Sequence, residues 1–171
     1  MKDVKVNDTH CFALIGHAGD GKTSLGESFL HRAAATASLG IVSEGTAHLD
    51  TLPEEKERQS TLPCSVFGLD WSNKHITLID TPGDSNFQGN GRIALGAVDG
   101  AVVVVSAGSG AKVGTDRMWQ HCESIEVPSL CYVSGMDKEH ADFDAAVTSL
   151  SDMGANPVRV TLPIGSGGDF K

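Results

Sequence analysis

The stretch Gly16-His-Ala-Gly-Asp-Gly-Lys-Thr23 decides the fold class of this chain of 171 residues. It has the spacing G-x-x-x-x-G-K-T, follows the apolar run His10–Ile15, and opens a run of helical periodicity, Lys22–Ala37. Glycines let successive backbone N–H groups point inward around phosphate oxygens, and the helix N-terminus adds positive dipole. The pattern predicts a phosphate-binding loop made of Gly16, His17, Ala18, Gly19, Asp20, Gly21, Lys22, Thr23 and Ser24. Within it, Lys22 is expected to reach the β- and γ-phosphates and Thr23 to hold Mg²⁺.

Further apolar and helix-period runs extend the pattern along the chain. They predict strands over 64–71, 75–79, 101–106 and 129–133, helices over 114–124 and 141–153, and the start of another strand at 158–162. The polar Ser72-Asn73-Lys74 suits a hairpin turn. The order predicts an α/β fold, namely a P-loop NTPase (Ras-like) three-layer domain whose sheet is mostly parallel with one antiparallel edge strand. Ligands of such sheets bind beyond the carboxyl ends of the strands.

A second motif, Asp80-Thr-Pro-Gly-Asp84, directly follows the predicted strand 75–79. An aspartate at a strand end near a P-loop is where such proteins keep a carboxylate for Mg²⁺, which here is Asp80. Gly83 leaves a backbone N–H free to approach a γ-phosphate. An ordinary Pro-Gly turn is the alternative, and the distance of about sixty residues from the P-loop favours the functional interpretation.

The stretch Gly40–Leu62 has no periodicity and is rich in polar and small residues. A long unpatterned loop in a compact domain is usually functional or disordered. In a nucleotide switch Thr61 would close on Mg²⁺ and the γ-phosphate, so we expect the loop to be mobile without a triphosphate. The charged run Glu54–Arg58 is expected to be a solvated turn of helix.

The bulk properties exclude several classes of protein. A net charge of −9 argues against a broad nucleic-acid face, which needs clustered Lys and Arg. No apolar run approaches the ~18 residues of a membrane span, and Met1–Asn7 lacks the apolar core of an export signal. The four cysteines form no C-x-x-C pair and lie mostly beside apolar segments, so we expect structural thiols and a cytoplasmic protein.

Together these residues resemble the GTP-binding domain of bacterial translation elongation factor G. The resemblance rests on GHAGDGKTSL from Gly16, on Glu55-Lys-Glu-Arg-Gln-Ser-Thr61, on Asp80-Thr-Pro-Gly83 and on Val105 to Trp119, and it covers nearly the whole chain. The sequence of the P-loop and the stretch Val113-Gly-Thr-Asp-Arg-Met-Trp119 are most similar to the elongation factor G-like second paralogue. The resemblance implies GTP and GDP as substrate and product, Mg²⁺ as cofactor, and the ribosome as partner through domains mostly absent here.

The resemblance also implies roles for individual residues. Asp137 would read the guanine base, and the metal would be held by Thr23, Thr61 and Asp80. Hydrolysis would involve Lys22, Thr61, Gly83 and Asp84. Asp84 stands where the family has a water-positioning histidine, and a carboxylate there is repelled by the γ-phosphate, so hydrolysis is expected to be slow.

The guanine-reading motif also departs from the family pattern. Asn-Lys-x-Asp is replaced here by Ser134-Gly-Met-Asp137. The asparagine that ties this loop to the P-loop is lost, and so is the lysine stem that packs on the base. Guanine affinity should weaken, with Lys138 as a candidate substitute for the lost packing.

Residues 1–157 are expected to form an incomplete GTP-binding domain, and residues 158–171 to begin an inserted subdomain or connector. Two alternatives to a ribosomal GTPase stay open at this point. One is a GTP-binding regulator that has largely lost hydrolysis, and the other is a different P-loop ATPase or nucleotide kinase.

Overall fold

Five strands form one sheet in the order β2-β3-β1-β4-β5. The computed structural model describes residues 5–171, so the first four residues of the leading segment, to which the export prediction applied, lie outside it. The strands are β1 (Thr9–Gly16), β2 (Ser65–Trp71), β3 (Lys74–Asp80), β4 (Gly100–Ser106) and β5 (Ser129–Ser134). All neighbours run parallel except β2 and β3, which places the one antiparallel strand at an edge.

Helices cover both faces of the sheet. They are α1 (Lys22–Arg32), α2 (Pro53–Arg58), α3 (Gln88–Leu95), α4 (Val113–Ser124) and α5 (Phe143–Asp152). Side chains of α1 pack with Leu14, Leu78 and Val104 on one face. Side chains of α3, α4 and α5 pack on the other face with a core that includes Ile15 and Val103. The predicted three-layer α/β fold is therefore confirmed. Within residues 5–171 no helix has both the length and the apolar composition needed to cross a bilayer.

The hairpin between β2 and β3 forms where its sequence predicts it. Trp71 pairs with Lys74, and the two residues between them, Ser72 and Asn73, have φ of 49° and 63°. Positive φ at both central residues is the geometry of a type I′ turn, whose twist matches that of the flanking strands. This tight turn pairs β2 with β3, whose other edge pairs with β1.

Two predicted elements differ from the structure. The first helix ends at Arg32 rather than Ala37, because the small residues that follow offer little apolar surface to bury, and Ala34 turns the chain with φ of 54°. Residues 158–162 form no strand. A cleft that both of them line separates this stretch from the edge strand β5, so the two form no strand pairing, and Val158 and Val160 are 86% and 80% exposed.

The stretch Gly40–Leu62 is more structured than its sequence suggests. It contains a 3-10 turn, Val42–Glu44, and helix α2, with Leu49 fully buried against the sheet. The predicted helical turn at 54–58 is confirmed, and Pro53 at its first position and Glu55 at its third are its sequence signals. It is not wholly solvated, because the side chain of Glu55 is fully buried.

Gly26 allows α1 to lie unusually close to the sheet and to this stretch. A Cβ at position 26 would stand 2.5 Å from Leu49 Cδ1 and 3.2 Å from Leu14 Cδ1. A Cβ here would overpack buried leucine side chains, which favours glycine, although glycine disfavours helix by up to about 1 kcal/mol relative to alanine.

We predict that Gly26→Ala lowers the free energy of unfolding by about 1–3 kcal/mol, the usual effect of overpacking. Gly89→Ala is the matched control, since a Cβ at this helical position meets nothing within 4 Å. It should leave stability unchanged or raise it by up to about 1 kcal/mol. Urea unfolding followed by circular dichroism measures both. Equal stability of the two variants would contradict the close packing.

Candidate functional site

The predicted phosphate-binding loop connects the end of β1, Gly16, to the start of α1, Lys22. Gly19 and Gly21 have φ of 79° and 91°, a conformation that side-chain-bearing residues rarely adopt. The loop borders a cleft of about 160 Å³. Its lining combines the P-loop with two distant segments: Ala18, Gly19, Gly21, Lys22, Thr23, Ser24, Val42, Gln59, Ser60, Thr61 and Gly83.

Lys22 is the cationic group of this cleft. Its side chain is only 5% exposed, and its Nζ donates to the carbonyl of His17 at 2.8 Å. Burial lowers the pKa of Lys22, while Asp80 and Asp20 act in the opposite direction. The ammonium group thus lies over the loop, where a phosphate held by the backbone N–H groups would meet it. His17 itself turns its ring away, towards Gly114 of α4.

Asp80, Thr23 and Thr61 meet at one point beside the P-loop. The Thr23 hydroxyl donates to Asp80 Oδ2 at 2.7 Å, and the Thr61 hydroxyl lies 3.0 Å from that of Thr23 and 3.4 Å from Asp80 Oδ2. Burial raises the pKa of Asp80 to about 6, although the hydrogen bond from Thr23 and the charge of Lys22 oppose the shift. Thr61 is thus closed against the P-loop in this structure, and the mobility expected without a triphosphate stays a prediction.

These oxygens fit a Mg²⁺ ion. Mg²⁺ prefers hard oxygen ligands in an octahedron at about 2.0–2.1 Å, which puts neighbouring ligands about 2.9 Å apart. The two threonine hydroxyls are 3.0 Å apart. Asp80 Oδ1 is buried with no partner among the described residues, so a carboxylate oxygen is also free to face the ion or one of its waters.

Gly83 lies directly against the P-loop. A Cβ at this position would contact Lys22 Nζ and would stand 2.5 Å from the backbone nitrogen of Ala18. No side chain fits there, so only glycine lets the segment after β3 come this close to the phosphate-binding loop. The segment after β3 therefore borders the same cleft as the P-loop.

Asp84, the next residue, does not line the cleft. It caps the 3-10 turn Ser85–Phe87, because its carboxylate accepts a hydrogen bond from the backbone N–H of Asn86 at 2.8 Å. The side chain is half-buried and held by its own turn. To position water at a phosphate in the cleft, the side chain would have to move there with its turn, or the bound ligand would have to extend out to it.

The loop after β5 lies beside the P-loop through Ser134. The Ser134 hydroxyl donates to the carbonyl of Asp20 at 2.6 Å, so serine makes a tie to the P-loop of the kind that the family's asparagine makes. Asp137 is exposed beyond this tie and does not line the phosphate cleft. The stem of Lys138 covers Gly135, with Cδ 3.4 Å from where a Cβ of residue 135 would stand. Lys138 thus packs against the residue that stands where the family has its lysine.

Asp20 makes a contact that sequence reasoning missed. Its fully buried carboxylate pairs with Lys112, which lies between β4 and α4, with an Nζ–Oδ1 distance of 2.8 Å. The other oxygen, Oδ2, is buried with no partner in the part of the chain that is described. The two residues are 92 positions apart, and no local pattern signals the pair. A negative charge inside the phosphate-binding loop is therefore neutralised from another loop.

Buried carboxylates also hold the stretch 40–62, and its sequence did not indicate them. Glu27 of α1 accepts from the backbone N–H groups of Gly40 and Leu49, at 3.2 and 2.8 Å. Glu55 accepts from those of Leu52 and Leu62, at 2.9 Å each. The cysteines are all free, and burial raises the pKa of each thiol, which fits the structural role expected for them.

The sequence matches the family described as the elongation factor Tu GTP-binding domain over residues 7–161. It is 35% identical to elongation factor G of Thermotoga neapolitana over 159 residues, which cover 92% of this chain and 23% of that protein. A crystal structure of a Thermus thermophilus protein superposes with a TM-score of 0.88 at 36% identity, covering 94% of this chain and 24% of that one. The chain thus spans about a quarter of the length of these relatives.

We predict that Lys112→Ala weakens binding of GDP about tenfold or more, because Asp20 is then a buried unpaired charge in the P-loop. Asp20→Asn in the same chain should restore most of the affinity by removing that charge. Arg117→Ala, an exposed cation of α4, is the control and should bind as the parent does. Calorimetric titration of the parent chain and the three variants measures their affinities for GDP. A double variant as weak as Lys112→Ala would contradict the charge argument.

Proposed function

The chain belongs to the family of elongation factor Tu GTP-binding domains, and from this membership we propose that it is the GTP-hydrolysing domain of an elongation factor G-like protein acting on the ribosome. The relationship to the elongation factor G-like second paralogue, Mg²⁺ as cofactor and a cytoplasmic location are part of this proposal. The observation that supports it best is the convergence of the P-loop, Thr61 and the Asp80–Gly83 segment on one cleft.

Each group of residues in the cleft would have its own role in nucleotide binding and hydrolysis. The P-loop N–H groups and the Lys22 ammonium would hold the β- and γ-phosphates and neutralise their charge. Thr23 and Thr61, with Asp80 behind them, would hold Mg²⁺, which when bound offsets charge on the two phosphates. Gly83 would contact the γ-phosphate through its N–H. Loss of that phosphate would release Thr61 and Gly83 together, which is how such segments switch.

We propose residues 1–157 as the nucleotide-binding domain and residues 158–171 as a connector or the start of an inserted subdomain. The absence of strand pairing in this last part of the described chain supports the division. Arg159 rests on α5, where its guanidinium is 2.7 Å from Asp144 and 5.5 Å from the Phe143 ring centroid. The exposed apolar side chains of Val158, Val160 and Leu162 then belong to the connector.

A regulator with slow hydrolysis is the second candidate, and Asp84 is the observation that favours it. If its turn moved towards a bound γ-phosphate, the carboxylate would oppose the negative charge of the transition state. Its local hydrogen bond to Asn86 holds it in a turn outside the cleft. Binding and switching would then be intact while the chemical step is slow.

We predict that this chain binds GDP in preference to ADP, and that Asp137→Ala removes the preference. Charge-assisted hydrogen bonds contribute about 1.5–3 kcal/mol each, so the loss in GDP affinity should be about tenfold or more. Glu139→Ala, an exposed neighbour, is the control. Competition titrations with GDP and ADP measure the ratio. Equal affinity of the parent chain for both nucleotides would argue for a P-loop enzyme of another specificity.

We predict that Asp84→His raises GTP turnover in the presence of ribosomes without greatly changing GTP affinity. One well-placed transition-state group is typically worth about 10²–10³ in rate, which sets the upper limit of the gain. Asp84→Asn keeps the hydrogen bond to Asn86 but removes the charge, and it should give a smaller gain or none. Single-turnover hydrolysis measures the rates. A fall in rate for Asp84→His would identify Asp84 as a competent water-positioning group.

A further inference from the structure

We infer that Glu55 is the positioning residue that presents Thr61 to the phosphate cleft, so that this one buried carboxylate sets how strongly the domain prefers a triphosphate over a diphosphate. The inference rests on the proposed function, in which Thr61 contacts the metal and the γ-phosphate. Glu55 itself contacts neither the metal site nor the γ-phosphate site. It would act only through its hydrogen bonds to the backbone near Thr61.

Glu55 is unlike the other acidic residues of its helix. Its side chain is fully buried, whereas Glu54 and Glu57 on the same helix are exposed. A buried carboxylate is unfavourable unless it is hydrogen-bonded or paired with a cation. Among the ion pairs of the described residues none involves Glu55. The charge is instead met by two backbone N–H groups, those of Leu52 and Leu62, at 2.9 Å each.

These two hydrogen bonds join the residue before the helix and a residue after it to the same side chain. Leu52 is the residue that precedes α2, and Leu62 directly follows Thr61. The chain between them turns back at Gln59, which has φ of 52°, and the N–H of Ser60 donates to the Glu55 carbonyl at 3.1 Å. The backbone on both sides of Thr61 is therefore held by Glu55.

Thr61 reaches the P-loop only because its backbone is held in this position. It is 5% exposed, and its hydroxyl is within 3.0 Å of the Thr23 hydroxyl. The first half of the stretch has an anchor of its own, because Glu27 holds Gly40 and Leu49. Loss of Glu55 should therefore free the segment around Thr61 and leave Leu49 and the sheet contacts in place.

The chemistry of the carboxylate predicts a graded series of variants. Glutamate offers an acceptor oxygen to each N–H, whereas glutamine offers one acceptor and presents an NH₂ group to the other. Alanine offers none. Glu55→Gln should therefore keep one of the two hydrogen bonds and Glu55→Ala neither, and their effects should follow that order.

The test compares affinities for GDP and for a non-hydrolysable GTP analogue, at saturating and at limiting Mg²⁺, on the full chain. We expect Glu55→Ala to weaken binding of the analogue about tenfold or more, the effect of losing a buried hydrogen-bond acceptor. Glu55→Gln should lie between this variant and the parent, and GDP affinity should change by less than about twofold in both. Glu57→Gln, exposed on the same helix, should match the parent. Amide exchange at Leu62 should accelerate in both Glu55 variants.

Thr61→Ala, measured in parallel, separates the inference from the function on which it rests. If Thr61→Ala keeps the full preference for the triphosphate, the proposed role of Thr61 is wrong. If Thr61→Ala loses the preference while both Glu55 variants keep it, the role of Glu55 is wrong. Equal losses for GDP and the analogue, with a lowered melting temperature, would show a merely structural group and would also overturn the inference. If Glu55→Ala does not fold, Glu55→Gln decides.

Discussion

The hydrogen bond from the Thr23 hydroxyl to Asp80, 2.7 Å long, is the contact on which the site depends. It exists because β1 and β3 are parallel neighbours in a register that places Leu14 opposite Asp80. The end of β3 and the start of α1 therefore meet at one edge of the sheet. Thr61 then adds a third oxygen from a segment that belongs to neither element. Every other feature of the cleft is arranged around this meeting point.

Several buried carboxylates surround that point, and most of them are compensated by a cation or by hydrogen-bond donors. Asp20 pairs with a lysine, Glu27 and Glu55 accept backbone N–H groups, and Asp80 accepts from two hydroxyls. Asp50 has no hydrogen-bond partner for either oxygen among the described residues, and burial, followed by the nearby Glu55 and Glu27, raises its pKa. An acidic interior of this kind favours whatever brings positive charge to the cleft, and the Mg²⁺ that we propose for the site would supply it.

The departures from the family pattern also have physical consequences that can be read from the fold. Ser134 has a shorter side chain than asparagine, yet it reaches the Asp20 carbonyl because the P-loop and the end of β5 are close enough for a 2.6 Å hydrogen bond. Lys138 folds back over Gly135, whose φ of 67° suits glycine. The loss of a side chain at position 135 is thus accompanied by a neighbouring lysine stem that packs against that position.

The sequence alone determined the layered α/β fold, the P-loop and the Asp80–Gly83 segment, because periodicity, glycine spacing and turn chemistry are local properties of the chain. It also predicted that Thr61 belongs to the site. Only the tertiary structure decided which acidic side chains are buried, that Lys112 neutralises Asp20, and that Glu55 holds the backbone at Thr61. It also decided that residues 158–162 form no strand. These outcomes depend on partners distant in sequence, and hydrogen bonding and burial are set by where the chain brings such partners together.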